Sequence, residues 1–306
     1  MTTHGAVTAI VGPTAAGKSQ LSTAVAPDLD AEIVAVDAFT IYRGMDVGTA
    51  TPRRAEVPHH MVDVLDPSQE CTAQWFQRRA RAAIADVLAR DRRALLVGGS
   101  GLYFRAVVDP LEFPPTDPHV RRAIEQRHPD AASAFAAVQA VDPVAAGQLD
   151  PANRRRAVRA LEVHELTGRR FSAFQVAWDR HVSIYPGLRV IGIDLDRATL
   201  ATRIADRVDA MLAAGWLDEA ARLRSRRLSR TAAAAIGYAE LWDHLDGACT
   251  LAEARDRIIV RTRRYAVRQR RWFAADPRVR WMDPTAAADE LGRNTRGRQV
   301  PSAGGR

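Results

Sequence analysis

The chain has 306 residues, 47% of them hydrophobic, enough for one large core or for a core with an inserted unit. Its 44 basic and 36 acidic side chains give a formal charge of +8 at pH 7, a balance that suits a polyanionic partner. No apolar run of about 18 residues occurs, which excludes a membrane-spanning helix. The two cysteines, Cys71 and Cys249, lack metal-ligand spacing, which excludes a zinc site and points to a reduced compartment. The opening Met-Thr-Thr-His-Gly has no basic start of a signal peptide, so a cytoplasmic location is expected.

The β-branched run Val7–Val11 predicts a strand, and Gly12-Pro13-Thr14-Ala15-Ala16-Gly17-Lys18-Ser19 follows it directly. That is a P-loop pattern in its proper setting, strand before and helix after. Gly12 and Gly17 let the backbone turn its N–H groups inward, and the helix start completes a nest for a phosphate or diphosphate. Lys18 reaches the outer phosphate oxygens, and the Ser19 hydroxyl can ligate Mg²⁺. Lys18 is also the only lysine in the chain; arginine supplies all the other basic side chains. On its own the loop favours ATP and does not say whether phosphate is transferred, hydrolysed or released.

A second strand is expected at Glu32–Val36, ending at Asp37, then a helix over Ala73–Arg90 and a strand at Ala94–Val97 running into Gly98-Gly99-Ser100-Gly101. This alternation predicts an α/β fold, a P-loop NTPase-like parallel sheet flanked by helices. In such sheets ligands sit beyond the carboxyl ends of the strands, where the P-loop, Asp37 and Ser100 all fall. Pro110, Pro114, Pro115 and Pro118 then break the pattern, and helices follow to about Thr167. We therefore expect a small helical insertion domain over 115–185, a catalytic core made of 1–114 and 186–290, and a disordered tail over 291–306. A strand at Arg189–Leu195 rejoins the sheet, followed by helices at Ala198–Ala214, Leu217–Arg227, Ala233–Leu245 and Leu251–Phe273. His59-His60 reads as a pair of structural hydrogen bonders, and Asp46 and Asp63 as loop formers. Glu162 is placed to pair with Arg159 or Arg155.

Arginine is concentrated in two segments. One is Arg154-Arg155-Arg156-Ala157-Val158-Arg159. The other is the last long helix, where Arg257, Arg261, Arg264, Arg268 and Arg271 recur on one face. Such stripes suit a phosphodiester backbone, although local acids could equally turn one into an ordinary solvated face.

The order and spacing of several segments together resemble the bacterial tRNA dimethylallyltransferases, the delta-2-isopentenylpyrophosphate transferase family. They are Gly12–Ser19, Asp37–Ala50, Pro58–Asp63, Val97–Phe104, Arg159–Val163, Arg203–Val208 leading to Met211, Ile236–Tyr238, Thr262–Gln269 and Trp272-Phe273. The resemblance implies transfer of a dimethylallyl group from dimethylallyl diphosphate to N6 of the adenosine 3′ of the anticodon, with Mg²⁺ as cofactor. It implies that residues 12–19 hold a diphosphate leaving group, and that Asp37 orients N6 and takes its proton. Ser100 stands where the family has Thr, beside the extruded base. Ala38, Phe39 and Thr40 contact the target nucleotide, and Arg121, Arg155, Arg156 and Arg159 contact the tRNA anticodon stem-loop. A cytoplasmic monomer is implied.

The chain departs from the family pattern at Ala38 and Thr40 (usually Ser and Gln), Thr51 (Lys), Ala234 (Arg or Gln), Ala239 (Lys or Arg) and Val267 (Lys). A P-loop small-molecule kinase, or a divergent tRNA-binding paralogue of low activity, are the alternatives.

Overall fold

A computed structural model of the chain describes residues 6–52, 56–175, 177–178 and 180–296. They separate into two compact units, one formed by the described residues of 6–108 and 183–296 and the other by those of 109–182.

The larger unit is built on a six-stranded parallel sheet with strands β1 Val7–Val11, β2 Ala31–Ala35, β3 His59–His60, β4 Arg93–Gly98, β5 Arg189–Ile193 and β6 Val279–Met282. The spatial order is β3-β2-β4-β1-β5-β6, with Val11 beside Gly98 and Ala35 beside Val97 in register. The four strands expected from the sequence are present within a residue or two. The two short edge strands, β3 and β6, have no counterpart among the expected elements, although Val279-Arg280-Trp281 does alternate. β3 is two histidines with no apolar alternation, and it exists because Ile33 and Val34 pair with it.

The helices of this unit surround the sheet: α1 Lys18–Val25, α2 Asp46–Thr49, α3 Ala73–Ala89, α4 Gly101–Val108, and later in the chain α9 Arg197–Ala213, α10 Trp216–Arg224, α11 Arg230–Ala233 and α12 Tyr238–Leu245. Two more, α13 Leu251–Ala274 and α14 Pro284–Arg296, complete it among the described residues. Helices α5 to α8 make up the smaller unit. One core face joins Val11, Val34 and Leu96 to Phe76, Phe104, Ile258 and Phe273. The other joins Ile10, Ile33, Leu95 and Ile191 to Leu21 of α1 and Leu291 of α14. The burial of Leu291 corrects the tail expectation. Leu291 is 1% exposed, and its packing carries the helix on to Arg296, while 297–306 lie outside the described residues.

The single helix expected over Ala233–Leu245 is two. Gly237 takes a φ of 106°, and a Cβ there would run into the Trp216 indole, so the chain turns where only glycine fits.

The smaller unit is a helical bundle of α5 Pro118–Arg127, α6 Ala131–Val141, α7 Pro143–Gln148 and α8 Arg154–Thr167, followed by a 3₁₀ turn at Phe171–Phe174. Asp117, Asp130, Asp142 and Asn153 each cap a helix start by accepting backbone N–H bonds. Gly168, at φ 65°, ends α8. Ile124, Val138, Val158 and Leu161 form its own core.

Candidate active site

Three adjacent strands, β2, β4 and β1, deliver Asp37, Ser100 and the P-loop to one edge. Their exits crowd together. A Cβ on Gly98 would run into the Val36 carbonyl, and one on Gly12 would lie 2.8 Å from the Ile193 oxygen. Glycine at both points lets the strand ends approach.

Beyond this edge lies a cavity of about 90 Å³ lined by Thr14, Asp37, Phe39, Arg207, Met211, Trp216, Ile236, Tyr265 and Gln269, among others. Lys18 is half-buried, and its Nζ donates to the Pro13 carbonyl at 2.6 Å, folding it across the loop. Burial lowers its pKa from 10.5 to about 8; Asp37 opposes that shift and Arg207 adds to it. Arg207 is itself lowered by burial, with Asp37 opposing. Lys18 and Arg207 thus face a single carboxylate at a desolvated place, a charge imbalance that an entering anion would relieve. Arg203 reaches the same loop, its Nη1 3.6 Å from where a Cβ on Gly17 would stand.

Asp37 is set by its own loop. Its Oδ1 accepts the Phe39 N–H at 2.9 Å and the Thr40 N–H at 3.4 Å, an Asx turn that leaves Oδ2 available. Tyr265 sits across from it. Burial and the Asp37 charge both push the phenol well above its ordinary pKa, so it is a neutral hydroxyl. Thr40 Oγ1 is buried with no hydrogen-bond partner among the described residues. Ala38 is half-buried and packs against the core.

The remaining sequence expectations divide. Thr14, Asp37 and Phe39 line the cavity. Ser100 is half-buried at the start of α4, where its carbonyl accepts the Phe104 N–H at 2.9 Å; it is outside the cavity lining but one residue from Gly99, which Gln269 binds. Ala15, with a φ of 63°, and Ala16 lie in the loop, Gly17 is the N-cap of α1, and Ser19 lies in the first turn of that helix. The Thr14 N–H, by contrast, points to Gln269 Oε1 at 2.9 Å, so it is not part of the inward nest. His59 Nδ1 meets the Val57 carbonyl at 2.8 Å and His60 Nε2 meets Glu32 at 2.6 Å, both structural. Thr51, in place of the family's lysine, is buried and bonded to Thr49 at 2.7 Å. Ala234, Ala239 and Val267 are exposed.

In the helical unit Arg155 and Arg156 are exposed, and neither side chain has a hydrogen bond or ion pair among the described residues. Arg121 and Arg159 are already engaged: both bind the buried Glu162, at 2.6 and 2.7 Å. Burial works against ionisation of Glu162, yet those two arginines hold its pKa below the usual value. Glu162 therefore pairs with Arg159 as expected and with Arg121 instead of Arg155.

On α13 the stripe is two regions. Arg255, Arg257 and Arg261 pair with Asp209, Asp243 and Glu240. Arg264 and Arg271 are exposed and free of ion pairs among the described residues, and Arg268 has only the Tyr265 ring, 5.7 Å away.

Arg207, Tyr265 and Gln269 carry no site assignment from the sequence. A usable signal existed for Gln269, a polar residue on the buried helix face with Ala266 and Phe273. Arg207 lies three residues after the buried Ile204 and four before Met211, at the inward margin of α9.

Residues 40–276 match the model of the IPP transferase family, and residues 5–65 that of isopentenyl transferases. A tRNA dimethylallyltransferase from Pseudarthrobacter chlorophenolicus is 48% identical over 285 residues, covering 90% of this chain and 93% of that protein. One from Kocuria rhizophila is 48% identical over 282 residues, covering 90% and 88%. The crystal structure of a tRNA isopentenylpyrophosphate transferase from Bacillus halodurans superposes with a TM-score of 0.69 at 36% identity, covering 95% of each chain. A eukaryotic dimethylallyltransferase seen acting on tRNA shares the fold, with a TM-score of 0.79 at 23% identity over 95% of this chain and 77% of that one.

Proposed function

The chain belongs to the IPP transferase family of tRNA dimethylallyltransferases, and from that premise we propose how its residues divide the work. The enzyme moves a dimethylallyl group from dimethylallyl diphosphate to N6 of the adenosine 3′ of the anticodon. The observation that carries the assignment of roles is the pair of desolvated cations, Lys18 and Arg207, at a P-loop edge with one carboxylate, Asp37, opposite. The diphosphate lies in the P-loop nest with its charge met by Lys18, Arg207 and Arg203. As the allylic C1–O bond breaks, its electron pair leaves with the diphosphate, and fixed cations in a desolvated cavity stabilise that developing charge. The N6 lone pair forms the new bond to C1. Its proton passes to Asp37 Oδ2, the oxygen the Asx turn leaves available. The apolar walls, Phe39, Met211, Trp216 and Ile236, hold the dimethylallyl chain and keep water from the electrophilic carbon.

The residues fit a Mg²⁺ carried with the diphosphate. Ser19 offers a hydroxyl at the first turn of α1, and no group of three or more His, Cys, Asp or Glu side chains is poised for a metal among the described residues. The ion would therefore take Ser19 and phosphate oxygens, a donor set that suits Mg²⁺. When bound it supplies further neutralisation of the leaving group.

Base access requires the adenosine to leave the loop stack, and Ser100, Ala38, Phe39 and Thr40 flank the place it enters. The tRNA backbone is held by cations with no carboxylate partner among the described residues: Arg264, Arg268 and Arg271 in the larger unit, and Arg155 and Arg156 in the helical one. We place the enzyme in the cytoplasm with its tRNA, acting as a monomer. None of the described helices is long and apolar enough to cross a membrane.

Incubation with dimethylallyl diphosphate, Mg²⁺ and bulk tRNA, followed by nuclease digestion, should yield N6-isopentenyladenosine. Binding of tRNA without that nucleoside would support the inactive-paralogue reading, and transfer of the γ-phosphate of ATP the kinase reading.

A further inference from the structure

One buried polar side chain near the cavity has no part in the bond changes above. Gln269 is 5% exposed on the inward face of α13, between Ala266 and Phe273, where an apolar residue would ordinarily sit. A buried amide costs stability unless its groups are bonded. Here Oε1 accepts the Thr14 N–H and Nε2 donates to the Gly99 carbonyl, each at 2.9 Å. The orientation of the amide is fixed by chemistry, since a backbone N–H only donates and a carbonyl only accepts. Both partners are far away in sequence, 255 and 170 residues. The fit is close: a Cβ on Gly99 would collide with the Gln269 amide nitrogen.

The two groups it joins belong to different halves of the reaction. Thr14 lies in the P-loop that grips the leaving group; Gly99 precedes Ser100, where the adenosine enters. Each loop leaves its own strand, and the sheet register alone does not fix the path of either beyond its last paired residue, Val11 or Gly98. We propose that Gln269 is a positioning residue: one side-chain amide, clamped between the P-loop and the Ser100 loop, sets the distance and angle between diphosphate and N6. The proposal rests on the diphosphate assignment above. Transfer to a weak nucleophile needs C1 held in line between the leaving oxygen and N6, and misplacement of about 1 Å can cost about 10²-fold in rate. The Thr14 N–H is engaged by Gln269, which makes sense as the anchor of this clamp.

The test uses the full chain as wild type, Gln269→Met and Gln269→Glu. The methionine keeps the length and volume but bonds neither loop. The glutamate keeps the shape and the acceptor for Thr14 but carries no N–H for Gly99, so it remains informative should the methionine variant misfold. Thermal unfolding first establishes that each is folded. Kinetics are then measured with both substrates, and inorganic pyrophosphate binding with Mg²⁺ by calorimetry. We expect kcat to fall about 10²-fold in both variants with the KM for tRNA changed less than about twofold. Pyrophosphate affinity of Gln269→Met should fall about tenfold as the P-loop loosens, the size of a 1.4 kcal/mol change. A purely structural glutamine would instead lower the unfolding temperature and leave the kcat of folded enzyme intact. Folded variants with kcat and pyrophosphate affinity within about twofold of wild type overturn the proposal alone. Wild-type enzyme that fails to bind pyrophosphate overturns the diphosphate assignment and the proposal with it.

Discussion

The sheet edge and the outer face of α13 are both cationic, but they are cationic in different ways. At the edge, Lys18 and Arg207 are desolvated, Arg203 stands close by, and one carboxylate in a fixed turn faces them. On α13 the arginines are largely in water, and those in the first half are neutralised by Asp209, Asp243 and Glu240. Charge at the edge is short-ranged, geometrically placed and unscreened; charge on the helix is redundant and screened within about 10 Å at ordinary salt. Counting arginines therefore misjudges both places. It misses the edge, which holds the chain's only lysine, and overstates the helix, where part of the stripe is already paired. Substitutions at the two should differ in size and in salt dependence.

The largest effect should come from Asp37→Asn. Asparagine keeps an Oδ1 to accept the Phe39 and Thr40 N–H groups, so the turn survives, but it cannot take the N6 proton. Turnover should fall about 10²–10⁴-fold with tRNA affinity little changed. Lys18→Ala should cost about 10²–10³-fold, as removal of one fixed charge on the leaving group. Single-turnover assays with one purified tRNA measure both. Near-normal turnover in either variant would erase the distinction between edge and surface.

How much of this was legible from residues alone follows the same division. The β-branched strands, the P-loop and the strand that starts at Arg189 announce themselves through short-range pattern, and the structure puts them within two residues of the expected bounds. The helix break at Gly237 depends on the indole of Trp216, a residue of another helix, and no local rule contains it. Asp37 and Ser100 could be placed at strand ends, but that β2, β4 and β1 lie side by side is a property of strand order. Arg207 was hidden for a related reason: it sits at the margin of an amphipathic helix, and only the packed sheet shows that this margin looks into the cavity. Gln269 stands out as a polar residue on an apolar helix face, but which loops it meets again depends on strand order. The split of the α13 stripe needed Asp209, Asp243 and Glu240 to arrive from two other helices.

The edge also differs from the helix surface in its response to pH. Burial holds the Lys18 pKa at about 8, and a bound diphosphate must raise it, because an adjacent anion favours the charged form. Binding therefore takes up a proton above pH 8. Affinity for dimethylallyl diphosphate should fall as pH rises through 8, by up to about tenfold per unit, and be flat below it. For the empty protein the sign is opposite. The unfolded chain binds more protons at Lys18 between about 8 and 10.5, so that group's contribution to stability improves as pH rises through the window. With a single lysine, reductive ¹³C-methylation labels one side chain, and its titration by NMR reads the pKa directly. A lysine titrating near 10.5 in the empty protein would show the edge to be as solvated as the helix.

The smallest effect separates the two halves of α13. Arg264, Arg268 and Arg271 have no carboxylate partner among the described residues, so phosphates that they neutralise release condensed counterions without first breaking an ion pair. Arg255, Arg257 and Arg261 must surrender Asp209, Asp243 and Glu240 to do the same; the two exposed pairs are worth about 0–1 kcal/mol each, and the pair to the buried Glu240 is the costlier one to break. Replacing the free three by Gln should weaken tRNA binding severalfold at low salt. It should also lower the slope of log affinity against log salt by about 0.9 for every phosphate no longer neutralised. Replacing the paired three should leave the slope unchanged and act on the melting temperature instead, since Asp209 and Asp243 lose their arginines and the buried Glu240 keeps the Gly237 N–H but no countercharge. Turnover at saturating tRNA should stay within about twofold in both sets, because neither touches the cavity where fixed charge acts on the reacting atoms. Equal salt slopes in the two triple variants would show that pairing in the free protein does not decide which arginines meet the tRNA.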